Sequence, residues 1–129
     1  SKDFYTWAIA RKEDEGNVIG SISVPQLNQK AGRVTVGYCL GRNWWGHKIM
    51  KEAFAELIRF FFEVEGANRV EALHDTRNVN SGKVMAACGL KKEGTLRRYG
   101  WNNQGICDEC IYGMVASDYF EGKQRWENK

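Results

Sequence analysis

Arg33-Val34-Thr35-Val36-Gly37-Tyr38-Cys39-Leu40, followed by Gly41-Arg42-Asn43-Trp44-Trp45-Gly46-His47-Lys48-Ile49-Met50, is the stretch that decides the fold. Arg33 to Leu40 is rich in β-branched and aromatic residues and reads as a strand. Beyond the small segment Gly41 to Gly46 the period changes. Met50, Ala53, Phe54, Leu57, Ile58 and Phe61 recur at three- and four-residue steps, while Lys48, Glu52, Glu56, Arg59 and Glu63 take the other face. That is an amphipathic helix, and Gly66 is placed to stop it. A glycine-containing turn that feeds a strand into a helix leaves backbone N–H groups converging at the positive end of the helix dipole. Such a concavity suits a phosphate, with the amides of Trp45, Gly46, His47, Lys48 and Ile49 as donors. From the glycine alone, an easing of the turn is the commoner explanation.

Working outward, Tyr5, Trp7 and Ile9 alternate with smaller residues, so Phe4 to Arg11 reads as a strand. Lys12 to Asn17 supplies a turn, Val18 to Val24 resumes as the hairpin partner, and Pro25 to Gly32 reads as a polar loop. After the long helix, Arg69 to His74 is a strand. Asp75 to Asn80 holds several candidate N-caps, Ser81 to Cys88 fits a shorter helix, and Gly89 can close it in the left-handed conformation. Lys92 to Trp101 and Ile106 to Val115 are strands joined by Asn102-Asn103-Gln104-Gly105. Ser117 to Lys129 is polar, with Tyr119, Phe120 and Trp126 interspersed, and predicts no firm structure. The order is therefore strand, strand, strand, helix, strand, helix, strand, strand. It implies one α+β (mixed α/β) domain over residues 1–129, with a mostly antiparallel sheet and helices packed on its faces.

The composition of the 129 residues, 43% hydrophobic and 27% charged, is that of an ordinary globular domain. No apolar run, Phe60-Phe61-Phe62 included, approaches the ~20 residues that cross a bilayer, so no membrane partner is expected. The net charge of +3 is mild and carries no basic block, which argues against nucleic acid as a partner. Arg97, Arg98, Tyr99 and Trp101 alternate cations with aromatics, but such a strand is more often a solvated sheet face. Cys39, Cys88, Cys107 and Cys110 are too sparse for a disulfide scaffold, and a reduced, cytoplasmic protein is expected. Cys107 and Cys110, three apart in a strand, point to opposite faces, and no second pair completes a metal site; none is expected.

The run Arg42-Asn43-Trp44-Trp45-Gly46-His47-Lys48-Ile49-Met50-Lys51-Glu52-Ala53 resembles the acetyl-CoA pyrophosphate loop of the GNAT superfamily of N-acetyltransferases, in particular its ribosomal-protein (RimJ/RimL-like) branch. A second block looks like the same branch: Asn78-Val79-Asn80-Ser81, Val84-Met85, Cys88-Gly89-Leu90 and Glu93-Gly94-Thr95-Leu96-Arg97, with Asp108 and Tyr112 in the last strand. The spacing between the blocks agrees, and the similarity covers roughly Trp7 to Tyr119. Asn43 stands where the family's loop usually begins with Gln or Arg, and Lys48 where it has a second small residue. Lys48 keeps its amide and adds a cation toward a phosphate. The chain starts at what corresponds to the family's second strand, so it reads as N-terminally short of a strand and two helices that wall the acceptor cleft.

The resemblance implies a splayed pair of central strands with the pantetheine arm of acetyl-CoA along Tyr38, Cys39 and Leu40. It implies the diphosphate on the loop from Asn43 and Trp44 to Ile49, and Asn78 either holding the pantetheine or bridging the strands, besides capping the helix. It makes Ser81 the candidate acid for the departing thiolate, whose conjugate acid has an ordinary pKa of ~8.5; the plain reading of Ser81 is a helix start. Glu71, beside the expected gap, is a candidate base, and a solvated strand position is its plain reading. His74 and His47 are the only histidines, the latter in the phosphate loop. At pH 7 an α-amine with pKa ~7.8 is made neutral for about 1 kcal/mol and a lysine at ~10.4 for about 4.6 kcal/mol. With no strong base in view, the expected activity is N-acetyl transfer to a primary amine such as a protein N-terminus. The alternative is a non-catalytic acyl-CoA-binding module. An open sheet edge left by the short N-terminus would also suit a homodimer.

Overall fold

The computed structural model describes the backbone of residues 5–11, 14–40 and 49–127 and the side chains of 22–37 and 50–122. The described strands are β1 (Tyr5–Arg11), β2 (Asp14–Asn28), β3 (Arg33–Leu40), β4 (Arg69–Asp75), β5 (Lys91–Asn102) and β6 (Gly105–Val115), and the helices are α1 (Ile49–Arg59), α2 (Val79–Ala87) and α3 (Ala116–Glu127). They form one six-stranded sheet in the order β1-β2-β3-β4-β6-β5. Every neighbouring pair is antiparallel except β3 and β4, which run parallel because α1 carries the chain from one to the other. The mixed sheet expected from the element order is thus present.

One face of the sheet holds the core. Ile22, Val24, Val34, Val36, Val70 and Ala72 project from alternate strand positions and pack under Met50, Phe54, Leu57, Ile58 and Phe61 of the α1 segment, with Met85 of α2 beside them. The helix expected to end at Gly66 does so through a wider turn. Phe60–Val64 is a π turn, Glu65 N–H donates to Phe60 O at 3.1 Å, and Gly66 takes φ +69°. That extra residue lets Phe61 and Phe62 both reach the interior. At the end of α2, Leu90 N–H donates to Met85 O at 3.1 Å and Gly89 has φ +96°, the expected left-handed stop.

Three expectations fail. Asp14 to Asn17, expected in the turn, begins β2, and Asp14 pairs with Arg11. Pro25 to Asn28 is strand rather than loop: the ladder with β3 shifts register between Ser23 and Gln26, and Pro25, which has no N–H to donate, falls inside that shift. The tail is not structureless either, since residues from Ala116 onward form α3. Ala116 N–H donates to Asn68 O at 2.9 Å, and the Tyr119 ring stacks on Phe62 with centroids 5.0 Å apart. Few apolar residues anchor this helix, so its periodicity is faint in the sequence.

Candidate functional site

The ladder between β3 and β4 holds at Arg33↔Arg69, Val34↔Val70, Thr35↔Glu71 and Val36↔Ala72, and stops there. Both strands continue. Gly37, Tyr38, Cys39 and Leu40 stay paired with β2, and Leu73, His74 and Asp75 stay paired with β6. From Val36 onward, then, the two central strands turn bare edges toward each other, which is the splay expected of this sheet. Tyr38, Cys39 and Leu40 lie along one edge of the slot. An extended ligand with alternating amide N–H and C=O groups would meet matching backbone groups there.

α2 lies on the core face of the sheet, against β4, β6 and β5. Its N-cap is Asn78, whose Oδ1 accepts from the Ser81 N–H at 3.3 Å, so Asn78 does the capping its position suggested. Ser81 is therefore in the first turn, half-buried. Asn43, Trp44, Trp45, Gly46, His47 and Lys48 lie outside the described residues; Ile49 is the first residue of α1.

Glu71 projects from the other face of the sheet, because Val70, Ala72 and His74 are buried and Arg69, Glu71, Leu73 and Asp75 alternate with them. Its side chain is 12% exposed. Thr35 Oγ1 donates to one carboxylate oxygen at 3.0 Å and Arg69 Nε to the other at 2.9 Å. Arg69 also forks onto Glu93, at 3.0 and 2.7 Å, which holds the Glu93 carboxyl below its usual range through that hydrogen bond. Glu71 is thus tied into a clamp across three strands rather than solvated. It does not share a face with Ser81.

The electrostatics sharpen toward the β4 terminus. Asp75 accepts from Arg77 Nη2 at 2.6 Å, Arg77 Nε at 3.0 Å, the Arg77 N–H at 2.9 Å and Asn102 Nδ2 at 2.8 Å. The Arg77 guanidinium, above all, holds its carboxyl far below the ordinary range. Glu109, directly opposite on β6, is pushed up by burial and by the Asp75 charge. A depression of about 630 Å³ opens between this turn and the β5–β6 hairpin, bordered by Asp75, Arg77, Asn78, Asn80 and Asn102.

His74 and Tyr112, named in the sequence but assigned no role from it, share the core face of the sheet. His74 is 8% exposed, and its ring lies beside Tyr112 with centroids 5.5 Å apart. The only available signal was a histidine at a buried strand position. Cys107 and Cys110 have separate partners: Asn102 Nδ2 lies 3.6 Å from the first sulfur and Thr95 Oγ1 3.7 Å from the second. Among the described residues no three His, Cys, Asp or Glu side chains gather as a metal site, and no helix is long and apolar enough to cross a membrane.

Comparison with known proteins agrees with this geometry. Residues 1–91 match the model of an acetyltransferase (GNAT) domain. Over 111 residues the chain is 33% identical to an uncharacterised N-acetyltransferase, p20, of Bacillus licheniformis, covering 86% of this chain and 61% of that protein. It is 27% identical over 111 residues to the ribosomal protein uS5-alanine N-acetyltransferase of Escherichia coli (strain K12), covering 85% and 57% respectively. The solved structure of ribosomal-protein-S5-alanine acetyltransferase from Vibrio fischeri aligns with a TM-score of 0.78 at 28% identity, over 86% of this chain and 61% of that one. The chain spans about three fifths of the length of these relatives.

Proposed function

Because this chain belongs to the GNAT acetyltransferase domain family, we propose that it transfers the acetyl group of acetyl-CoA to a primary amine, the α-amine of a protein or peptide N-terminus. The observation that carries the reading is the ladder broken after Val36↔Ala72. Its bare edges suit the amides of a pantetheine arm, since backbone N–H and C=O groups away from water require partners. The amides from Asn43 to Ile49 take the diphosphate at the start of α1.

Attack of a neutral amine on the thioester needs one proton removed and a thiolate released. Ser81, in the first turn of α2, is the candidate donor to that thiolate. Glu71 is the candidate acceptor: one of its oxygens is bonded by Thr35 and the other by Arg69, and a carboxylate oxygen that accepts one hydrogen bond keeps a lone pair for a proton. An α-amine is neutral at pH 7 for far less free energy than a lysine, and two of the relatives are named for acetylating an alanine of a ribosomal protein. Both support a peptide N-terminus as acceptor.

The test is calorimetry with acetyl-CoA, followed by thiol release with peptides beginning in alanine or serine and with an α-blocked lysine peptide. Binding with turnover on the free α-amines is expected. No heat with acetyl-CoA refutes the reading, and heat without thiol release on any amine leaves an acyl-CoA-binding module. Gly46→Val should weaken acetyl-CoA by 10-fold or more, about 1.4 kcal/mol, because a side chain there blocks the diphosphate.

A further inference from the structure

The run Arg97, Arg98, Tyr99 and Trp101 is solvated, as its pattern suggested, but much of what it shows to solvent is apolar. Tyr99 is 58% exposed, Trp101 68% and Ile106 71%. Trp101 and Ile106 are paired across the β5–β6 ladder, so they stand on one face of the hairpin. A β-carbon built on Gly100 would point at Glu109, on the other face, and alternation therefore puts Tyr99 on the side of Trp101. Scattered singly, such residues need no explanation; a tyrosine, a tryptophan and an isoleucine on one face of a hairpin mark a contact surface.

The free charge along this strand has one sign. Arg97 and Arg98 immediately precede Tyr99, and Lys91 and Lys92 begin the same strand. All four side chains are exposed, and none is in an ion pair among the described residues. The acids nearby are engaged elsewhere. Glu93 is bound by Arg69 and Asp75 by Arg77, and Glu109 lies across from Asp75 on the other face of the sheet. Asp108 Oδ1 accepts from the Arg98 N–H at 2.7 Å. That last bond pins a bulge, in which Arg97, Arg98 and Tyr99 stand opposite Asp108 alone and Arg98 takes φ +50°. β5 is the last strand of the sheet, so its outer edge is open.

We propose that the β5–β6 hairpin is a docking surface for single-stranded nucleic acid, with Tyr99 and Trp101 as platforms for two bases and Arg97 and Arg98 on the phosphates between and beside them. A single strand offers flat π-faces and negative charge in alternation, and the hairpin offers rings and cations in the same way. Tyr99 and Trp101 are two residues apart, about 6.6 Å along a strand, so each ring takes its own base. The mild net charge behind the contrary expectation does not bear on this, because the cations are clustered locally. Other occupants fit less well. A duplex keeps its base faces inside the stack. An extended acidic peptide would have to add a strand to β5, and the bulge at Arg98 and the edge cations disrupt the regular edge that strand addition needs. A second copy, docked about a two-fold axis, would bring the same cations toward each other. The proposal does not depend on acetyl transfer.

The experiment is fluorescence anisotropy of labelled short oligouridylate and oligothymidylate, and of a duplex of equal length, titrated with the full chain between about 50 and 200 mM salt. Both single strands should bind, the duplex more weakly. The affinity should fall with salt at a log–log slope of about −1.4, or −0.7 for each of two phosphates. Trp101→Ala and Tyr99→Ala should each weaken binding about 10-fold, and Trp101→Phe, which keeps a ring, should recover part of the loss. Arg97→Gln combined with Arg98→Gln should remove most of the salt slope. These side chains are exposed, so melting temperatures should not move and the fold is held constant across the series. Polyglutamate should not displace the oligonucleotide. Absence of binding at the lowest salt, equal affinity for the duplex, wild-type affinity in Trp101→Ala and Tyr99→Ala, or displacement by polyglutamate would overturn the proposal. So would a dimer in sedimentation that Trp101→Ala dissociates, which would give the patch to a second copy.

Discussion

Asp75 and Glu109 face each other in register across β4 and β6, two carboxylates in directly opposed positions. Arg77 and Asn102 bind Asp75, and Glu109 is left with the repulsion and the burial. A carboxyl whose folded-state pKa is raised contributes stability below its unfolded value that is lost as pH rises through the folded one. Glu109→Gln is therefore expected to raise the melting temperature at pH 7. The gain should shrink as pH falls through the ordinary carboxylate range, below which the glutamate is protonated in both states. Asp75 has the opposite sign: its folded pKa is depressed, so its contribution is present above the ordinary carboxylate range and fades in strong acid. Melting curves of Glu109→Gln and of Asp75→Asn between neutral and acid pH check the pair.

Arg69 lies flat over Gly113, whose α-carbon could carry no methyl without meeting the guanidinium nitrogens at 2.6 Å. From there it reaches Glu71 and Glu93. Arg69→Ala leaves Glu71 with Thr35 as its remaining partner, and the loss should be about 1–3 kcal/mol in urea, below the value for a fully buried pair because Glu93 is exposed. Arg69→Lys should recover only part of it, for lack of the fork.

Gly82 lies within α2, where alanine ordinarily gains about 1 kcal/mol over glycine. The His74 ring occupies the space the methyl needs, so Gly82→Ala should be neutral or destabilising in the natural chain. With His74→Ala present the same change should become stabilising by about 1 kcal/mol, and denaturation of the four proteins in a double-mutant cycle measures the coupling.

Tyr119 joins α3 to the body by stacking on Phe62 and by donating its hydroxyl to Glu63. Burial, with the Glu63 hydrogen bond, pushes its hydroxyl up to about 12. Tyr119→Phe should cost about 1 kcal/mol, the ordinary value of a hydrogen bond, and Tyr119→Ala about 3 kcal/mol through the lost ring. Because the folded pKa lies above the unfolded value of ~10, this contribution is intact below that pH and fades as the pH rises toward 12. Circular dichroism on an alkaline titration follows it.

How much of this was legible beforehand depended on whether a residue's role was local. The α1 stripe from Met50 to Phe61 and the stops at Gly66 and Gly89 are written in nearest-neighbour terms, and the structure has them. Asn78 was readable as a cap for the same reason. The register shift around Pro25 was not, because a bulge depends on the partner strand. α3 was missed since its hold on Phe62, Glu63 and Asn68 is long-range. Glu71 was placed correctly in its strand, but the clamp around it comes from β3 and β5, and no pattern within β4 announces Thr35 or Glu93. His74, Gly82 and Tyr112 belong to three different elements, and only their meeting gives any of them meaning.

The parallel seam between β3 and β4 has a mechanical corollary. Four residue pairs at one end hold strands that part at the other, so the sheet is built like tongs with a fixed hinge and tips free to breathe. A molecule lying between the tips as a surrogate strand would knit the halves together and be counted in the stability of the fold itself, by mass action on the native state. Amides of Gly37 to Leu40 and Leu73 to Asp75 should then exchange slowly with solvent when the tongs are closed on coenzyme, and faster when they are not, while the hinge at Val34 and Val70 keeps its protection in both.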